Sequence, residues 1–142
     1  MASGGCFCEK IRIQYSGEPI TTALCHCSDC RKLTGALYTY SFLVKSVDLV
    51  ITGNPKEIAK MSDSEKHYKN YFCADCGTSL YGMKMKSDQV PEDTIVLRGG
   101  IFDDIEFLNQ HKPALEIYTE GRVKWVCPTG GADQYSGMPP QQ

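Results

Sequence analysis

The chain has 142 residues, with 15 basic and 17 acidic side chains and a formal net charge of −2. A chain of this length is expected to form one domain with its own core. It contains no run or stripe of Lys and Arg, so it lacks the usual pattern of a nucleic-acid binder. Its longest apolar stretches, such as residues 37–44, hold only eight residues, and we predict no membrane span.

Short strands separated by Gly and Pro residues are the predicted elements. Residues 11–15 alternate apolar and polar side chains, and residues 37–44 are rich in aromatic and β-branched ones. No segment sustains a 3.6-residue period, so helices are limited to a turn or two at 28–33 and 103–110. The predicted strands are, in chain order, 11–15, 20–25, 37–44, 47–52, 65–72, 79–85, 94–98, 115–119 and 122–126.

This pattern predicts a mainly β fold, which we expect to be a sandwich-like single domain of short antiparallel strands. We place the domain at residues 1–129. Residues 130–142 are rich in Gly, Pro and Gln and are predicted to form an extended or frayed tail. The sequence shows no internal linker and no repeat.

Seven of the eight cysteines lie in three short clusters, which is typical of zinc sites. Two paired clusters make one closed four-cysteine site, whereas a cluster of three supplies only three thiolates and leaves a fourth position free. Closed zinc sites are structural, and sites with a free position carry chemistry. The clusters are Cys6-x-Cys8, Cys25-x-Cys27-x-x-Cys30 and Cys73-x-x-Cys76.

Other uses of the cysteines fit the sequence less well. Four disulfides are disfavoured because residues 1–5 lack the basic and apolar regions of a signal peptide, so we expect a reducing, cytoplasmic location. Haem attachment requires Cys-x-x-Cys-His, which neither Cys-x-x-Cys motif provides. Thiolates also hold iron–sulfur clusters, but cysteines one residue apart match no usual ferredoxin spacing. We therefore expect zinc, with two ions per chain.

The spacing alone leaves two pairings open for the closed site. Joining Cys6 and Cys8 to Cys73 and Cys76 closes a loop of more than sixty residues, which removes much entropy from the unfolded chain. A site built from Cys73, Cys76 and two of the cysteines in the central cluster would also satisfy zinc. In either case Gly77 suits the turn, because glycine tolerates a positive φ.

Several segments carry a resemblance to a known family. They are residues 5–12 (GCFCEKIR), 25–36 (CHCSDCRKLTGA) and 71–80 (YFCADCGTSL), followed by 98–104 (RGGIFDD) and 113–125. Together they resemble the glutathione-dependent formaldehyde-activating enzyme family, which also includes centromere protein V. The similarity covers nearly the whole chain.

The resemblance implies a mainly β fold with two zinc ions. It implies a structural zinc on Cys6, Cys8, Cys73 and Cys76. It implies a second zinc, open to a thiol substrate, on Cys25, Cys27 and Cys30. It also implies carbon–sulfur lyase activity of the kind that joins glutathione and formaldehyde into S-hydroxymethylglutathione.

Two residues depart from the family pattern. Glu9 stands where the family usually has the glycine of Cys-x-Cys-Gly, and Glu116 stands where many members carry a histidine. Neither residue is one of the presumed ligands. The departures therefore bear on the substrate and not on the metals.

Three basic residues are candidates for substrate binding. Arg31 and Lys32 follow the central cysteine cluster, and Arg98 begins one of the segments similar to the family. Each could pair with a carboxylate of glutathione, because charge-assisted hydrogen bonds favour such contacts. The simpler interpretation is that they are solvated surface residues.

Other residues near the clusters are assigned structural roles first. His26 lies between two cysteines, and we expect a core or supporting hydrogen bond rather than proton transfer. Tyr38 and Tyr40 are predicted to pack in a strand, with pocket lining as the alternative. Cys127 is predicted to be an isolated buried thiol rather than a further zinc ligand.

The predicted function is that of a zinc-dependent carbon–sulfur lyase acting on glutathione or a related thiol. In this interpretation the thiol enters the free position of the zinc held by Cys25, Cys27 and Cys30. One alternative is a non-catalytic, zinc-stabilised binding module for proteins or thiols. Another is a redox or zinc-buffering role of the three cysteines. We expect no nucleic-acid or membrane partner, and a homodimer is left open.

Overall fold

The computed structural model describes residues 1–61, 67–87 and 90–140. The chain is 42% strand and 16% helix, so the prediction of a mainly β fold is confirmed. The strands are β1 Ala2–Gly5, β2 Arg12–Tyr15, β3 Thr21–Cys25, β4 Thr39–Lys45, β5 Leu49–Thr52, β6 Lys56–Met61, β7 His67–Phe72, β8 Ser79–Ser87, β9 Val90–Pro91, β10 Thr94–Arg98, β11 Leu115–Ile117 and β12 Asp133–Gln134. The helices are α1 Ser28–Thr34 and α2 Ile105–Asn109, with 3-10 turns at Ser46–Asp48, Gly99–Ile101 and Thr119–Gly121.

The strands form a large sheet and a small one. The large sheet has the order β12-β11-β3-β4-β10-β8-β7-β6, with β9 added beside β8, and the small sheet has the order β1-β2-β5. Most neighbours are antiparallel, as predicted, but β11 runs parallel to both β3 and β12. The parallel pair is central to the site, because it aligns Ile117 with Cys25.

The core lies between the two sheets and is built by alternation along the strands. In β2, Ile13 and Tyr15 are buried and Gln14 is exposed, as expected for a strand with one face on a core. Phe42 of β4 is fully buried, and its ring centroid lies 5.4 Å from that of Phe102. Burial of such aromatic side chains supplies much of the hydrophobic stabilisation.

Most predicted elements are confirmed within one to three residues, and β10 is reproduced at 94–98. The predicted strand at 65–72 corresponds to β7, and its first two residues lie outside the described part of the chain. The turns expected at 28–33 and 103–110 contain α1 and α2. Strands β1, β6, β9 and β12 were not predicted.

The strand predicted at 122–126 is wrong. Arg122 turns its guanidinium toward the buried Glu116, and a turn follows in which the Val126 N–H donates to the Val123 carbonyl (2.9 Å). Trp125 is left 74% exposed. The alternation in this segment reflects a bend with one inward arginine, and not a sheet.

Residues 133–135 lie beside β11. The Tyr135 N–H donates to the Glu116 carbonyl (2.9 Å), and the Thr119 N–H donates to the Tyr135 carbonyl (3.1 Å). The extended or frayed tail predicted for residues 130–142, and the domain boundary after residue 129, stay predictions. No helix in the described residues is long and apolar enough to cross a membrane.

Candidate metal centres

The first cluster of thiols lies where two connections meet, the one between β1 and β2 and the one between β7 and β8. Its four sulfur atoms lie within 4.8 Å of one another, and they belong to Cys6, Cys8, Cys73 and Cys76. The Cys6 and Cys8 sulfurs are 3.6 Å apart, and those of Cys8 and Cys73 are 3.7 Å apart. Tetrahedral zinc with bonds of about 2.3 Å places its sulfurs about 3.8 Å apart. The four thiols therefore fit a closed zinc site, and the geometry selects this pairing over the alternative.

Backbone turns present these sulfurs. The Ile11 N–H donates to Cys6 Sγ (3.3 Å), and the Gly77 N–H donates to the Cys73 carbonyl (2.8 Å). Gly77 has a φ of 80°, as its place in the turn predicted. Hydrogen bonds from the hydroxyl and the backbone N–H of Thr78 lower the pKa of the Cys76 thiol to about 5. The turn thus favours the thiolate that zinc requires.

Glu9 adopts a backbone conformation that glycine tolerates better than other residues. Its φ is 68°, in the left-handed region that residues with a Cβ atom rarely adopt. The Glu9 N–H donates to the Cys6 carbonyl (3.1 Å) and closes the turn between Cys6 and Ile11. The chain therefore carries local backbone strain beside the four-cysteine set.

The second cluster gathers three thiols where β3 passes into α1. The sulfurs of Cys25, Cys27 and Cys30 lie within 4.8 Å of one another. Cys25 ends β3, and Cys27 caps α1 by accepting a hydrogen bond from the Cys30 N–H (3.3 Å). Among the described residues, no further His, Cys, Asp or Glu joins this group. The donor set fits zinc with three protein ligands and one free position.

The three thiols share negative charge unequally. Hydrogen bonds from Cys25 and Cys27 lower the pKa of Cys30 to about 3, with smaller effects from Thr39 and the charge of Arg98. The same contacts with Cys27 and Cys30 raise the pKa of Cys25. The cluster therefore holds one thiolate readily, and a metal cation is needed to hold three.

A cleft of about 620 Å³ lies between the two clusters. Its lining includes Cys6 of the first cluster and Thr39, which pairs with Cys25 of the second across β3 and β4, but none of the three clustered thiols themselves. Arg98 also lines the cleft, where its guanidinium donates to Ser41 Oγ (3.1 Å) and Ser79 Oγ (3.4 Å). A fixed cation thus stands in the cleft next to the three-cysteine set.

The other two predicted substrate contacts lie elsewhere. Arg31 and Lys32 are exposed on α1 and do not line the cleft. The structure therefore brings Arg98 to the cleft and leaves this pair on the helix surface beside Cys30. The exposure of Arg31 and Lys32 is consistent with α1, a seven-residue helix that buries none of its side chains.

Several tyrosines lie near the three-cysteine set. Burial raises the pKa of Tyr68 and Tyr118, and the charges of Cys25 and Cys27 raise both further, so both phenols lie within electrostatic reach of the thiols. Tyr38 lines the cleft, in agreement with the pocket-lining alternative. Tyr40 packs edge to face on Phe42 with ring centroids 5.3 Å apart, as the packing interpretation predicted, although it too contributes to the cleft wall.

His26 makes the core hydrogen bond that was expected of it. Its ring is 1% exposed, and Nε2 lies 2.7 Å from Glu116 Oε1. Burial opposes the charge on Glu116, but hydrogen bonds led by those from Gln134 and the Thr129 N–H lower the pKa of this carboxyl to about 2. Glu116 is therefore ionised at neutral pH.

The role of Glu116 was missed by the sequence analysis. The residue sits in an ordinary alternating segment, and the signal that set it apart was its departure from the histidine of many family members. Tyr68 and Tyr118 carried no signal at all. The prediction of a buried thiol at Cys127 is wrong, because this cysteine is exposed and belongs to neither cluster.

Comparisons with known proteins agree with this geometry. A family model described as "Glutathione-dependent formaldehyde-activating enzyme" matches residues 1–121. Relatives named "Putative glutathione-dependent formaldehyde-activating enzyme" are 29% identical over 79 residues in Aspergillus flavus and 31% identical over 81 residues in Podospora anserina. These matches span 54% of this chain but only 41% and 36% of the two relatives.

The fold is also found in a solved structure. A Rhodobacter sphaeroides protein of known crystal structure superposes with a TM-score of 0.54 at 19% identity. The superposition covers 78% of this chain and 96% of that protein. At this identity the likeness concerns the fold alone.

Replacing Glu9 with glycine is predicted to stabilise the protein. Glycine relieves the left-handed strain, which is worth about 1–2 kcal/mol. Part of this gain is offset because glycine loses more backbone entropy on folding than glutamate does. We expect a net gain of about 0.5–1 kcal/mol in the free energy of unfolding, measured by thermal melting of the zinc-loaded protein. The matched control is Glu120→Gly, at a position without positive φ, which should be destabilising. A Glu9→Gly protein less stable than wild type would contradict the assignment of strain.

Glu116 is predicted to add stability that disappears in acid. Its folded pKa of about 2 lies below the ordinary value of 4.5, so its contribution is fully present above pH 4.5 and is lost as the pH falls toward 2. The difference in unfolding free energy between wild type and Glu116→Gln should be about 3 kcal/mol near pH 7 and shrink across that window. Denaturant titrations of both proteins at several pH values measure this difference. Acid also releases metal from the thiols, but it does so in both proteins and therefore does not enter the difference. A difference that does not depend on pH would disprove the ionised state of Glu116.

Proposed function

Because the chain belongs to the glutathione-dependent formaldehyde-activating enzyme family, we propose that it is a zinc-dependent carbon–sulfur lyase. Its substrates are glutathione or a related thiol together with formaldehyde or another small aldehyde. The observation that supports this best is a set of three thiols, with no fourth protein donor in the described residues, beside a cleft that contains a fixed arginine. The four-cysteine set is assigned a structural zinc in the same proposal.

The reaction is an addition that needs no oxidant. The thiol loses its proton, and its sulfur forms a bond to the carbonyl carbon of the aldehyde. The π electrons of the carbonyl move to oxygen, which takes up a proton to give the hydroxymethyl thioether. The reverse reaction breaks the carbon–sulfur bond and returns the proton to sulfur.

Zinc, when bound by Cys25, Cys27 and Cys30, favours the thiolate form of an incoming thiol. Three anionic donors make the site soft, so a sulfur ligand is preferred over a carbonyl oxygen. Thr39 and Tyr38 line the cleft and shape the approach to the three cysteines from it. A reducing compartment such as the cytoplasm keeps these thiols available, and the proposed location follows from that requirement.

Arg98 is proposed to bind a carboxylate of the thiol substrate. Its guanidinium is held by two serine hydroxyls, which leaves donors directed at the cleft. Arg31 and Lys32 are proposed as outer contacts for the second carboxylate, since both extend from the helix that carries Cys30. Orientation of the thiol by these cations lowers the entropic cost of reaction.

Substitution of single cysteines should separate the two zinc ions. Cys73→Ser removes a ligand of the structural site and is predicted to lower the melting temperature on the order of 10 °C. Cys27→Ser should leave a folded protein with about one zinc per chain and no thiol-dependent activity. Metal analysis and thermal melting measure both effects. A Cys27→Ser protein that keeps two zinc ions and its activity would remove the three-cysteine site from the proposal.

Glutathione and formaldehyde combine spontaneously, so catalysis is best measured at equilibrium. Exchange NMR with ¹³C-formaldehyde gives the rate at which free aldehyde and adduct interconvert. We predict acceleration of about tenfold or more by the wild-type protein over equimolar Cys27→Ser. If the two proteins give equal exchange rates, the proposal of catalysis fails and the binding-module alternative is favoured.

Arg98→Met is predicted to impair only substrates with carboxylates. A charge-assisted hydrogen bond is worth about 1.5–3 kcal/mol, which corresponds to a weakening of glutathione binding of about tenfold or more. The rate with 2-mercaptoethanol, which has no carboxylate, should change little. Steady-state exchange measurements with both thiols provide the comparison. Equal losses for the two thiols would show that Arg98 acts on the cysteine set and not on the substrate.

A further inference from the structure

A buried carboxylate lies directly behind the three-cysteine set. Glu116 of β11 is 0% exposed, and both of its oxygens are occupied by donors. Oε1 faces His26 Nε2 (2.7 Å) and accepts from the Arg122 guanidinium (3.2 Å). Oε2 accepts from the Thr129 N–H (2.5 Å) and the Gln134 amide (3.0 Å). A buried charge is tolerated only with such compensation.

Three of these four partners come from the end of the chain. Residues 122–137, which we call the C-terminal segment, lie beyond the 1–121 range that the family model matches. They supply Arg122, Thr129 and Gln134 to the carboxylate, and Tyr135 bonds to the Glu116 carbonyl. The C-terminal segment therefore supplies donors to both carboxylate oxygens, and its Arg122 shares Oε1 with His26.

The fourth partner connects the carboxylate to the thiols. His26 lies between Cys25 and Cys27, and its backbone N–H donates to the Ile117 carbonyl (3.1 Å). An ionised carboxylate only accepts, so the Nε2 atom of His26 must carry the proton. His26 Nδ1 has no hydrogen-bond partner among the described residues. The contact with Glu116 is thus the polar contact that orients this ring.

The backbone that follows Glu116 is also fixed against the site. Tyr118 adopts a left-handed φ of 54°, and its N–H donates to the Gly137 carbonyl (3.2 Å) in the C-terminal segment. A Cβ atom at Gly121 would stand 2.4 Å from the His26 carbonyl oxygen, so only glycine allows this approach. A non-glycine residue such as Tyr118 keeps a left-handed backbone only where its surroundings impose it.

We propose that Glu116 is a positioning residue of the three-cysteine site, held by the C-terminal segment and acting through His26 on the turn that presents Cys25 and Cys27. The inference rests on the proposed function in one respect, that the three cysteines hold a metal ion. Apolar side chains would fill the same space at lower electrostatic cost. What the carboxylate adds is a directional contact with one ring, and that ring sits between two ligands.

The test compares the release of the two zinc ions to a chromophoric chelator. Cys27→Ser, which lacks the second ion, identifies the phase that belongs to the four-cysteine set. Glu116→Gln must turn an amide donor toward at least one existing donor, and we expect release from the three-cysteine set to quicken about tenfold. The four-cysteine phase, which has no contact with Glu116, should not change.

Two further variants distinguish a positioning role of Glu116 from a general loss of stability. Gln134→Ala removes one donor from the rim of the carboxylate, and it should quicken the same phase by a smaller factor of about threefold. Glu120→Gln, at an exposed carboxylate on the neighbouring turn, should change neither phase. A ¹⁵N–¹H NMR signal from His26 Nε2–H, protected from solvent in wild type and lost in Glu116→Gln, reports the contact without any use of the metal.

The outcomes distinguish this inference from the proposed function. Two zinc ions in wild type with unchanged release in both Glu116→Gln and Gln134→Ala would overturn the positioning role alone. Equal acceleration of both phases would overturn it as well, because it would indicate a general loss of stability. A wild-type protein that binds only one zinc would overturn both the proposed function and this inference. Should Glu116→Gln fail to fold, the Gln134→Ala result decides.

Discussion

Convergence of four sulfurs on one point is the constraint on which the rest of the structure depends. The contact between Cys8 and Cys73 joins residues 65 positions apart in sequence and ties the small sheet to the β7–β8 hairpin. Thiolates at this spacing repel one another unless a cation neutralises them, so a metal ion bound here would couple its binding to the folding of this corner. The cleft lies along this junction, because Cys6 forms part of its wall. Arg98, Thr39 and the three-cysteine set then occupy fixed places relative to it.

The sequence predicted what depends on local pattern and on cysteine spacing. Alternation placed β2 and β10, and the clusters at 25–30 and 73–76 fell at turns, as tight coordination requires. It did not predict β1 or β6, because Gly-rich and Lys-rich segments become strands only through their neighbours. The false strand at 122–126 has the same origin. Arg122 looked like the polar side of a strand, whereas the structure turns it inward to a buried charge that no local pattern announces.

The site divides in the same way. The thiols could be assigned from sequence, and Arg98 could be chosen with the help of the resemblance. The hydrogen bonds that support the three-cysteine turn could not be predicted, since they join residues about 90 positions apart, such as His26 and Glu116. Glu9 and Glu116 both differ from the family pattern, and their physical consequences differ. Glu9 stores backbone strain at a turn, whereas Glu116 is compensated by four donors and lies behind Cys25 and Cys27.

The central claim is that one set of cysteines is closed and the other accepts a thiol. Zinc X-ray absorption spectroscopy of the two-zinc protein measures this directly as the mean number of sulfur ligands per zinc. Four sulfurs at one ion and three at the other give a mean of about 3.5, and saturating glutathione should raise it to about 4. A mean that is already 4 without glutathione, or one that stays at 3.5 when glutathione is added, would contradict the account.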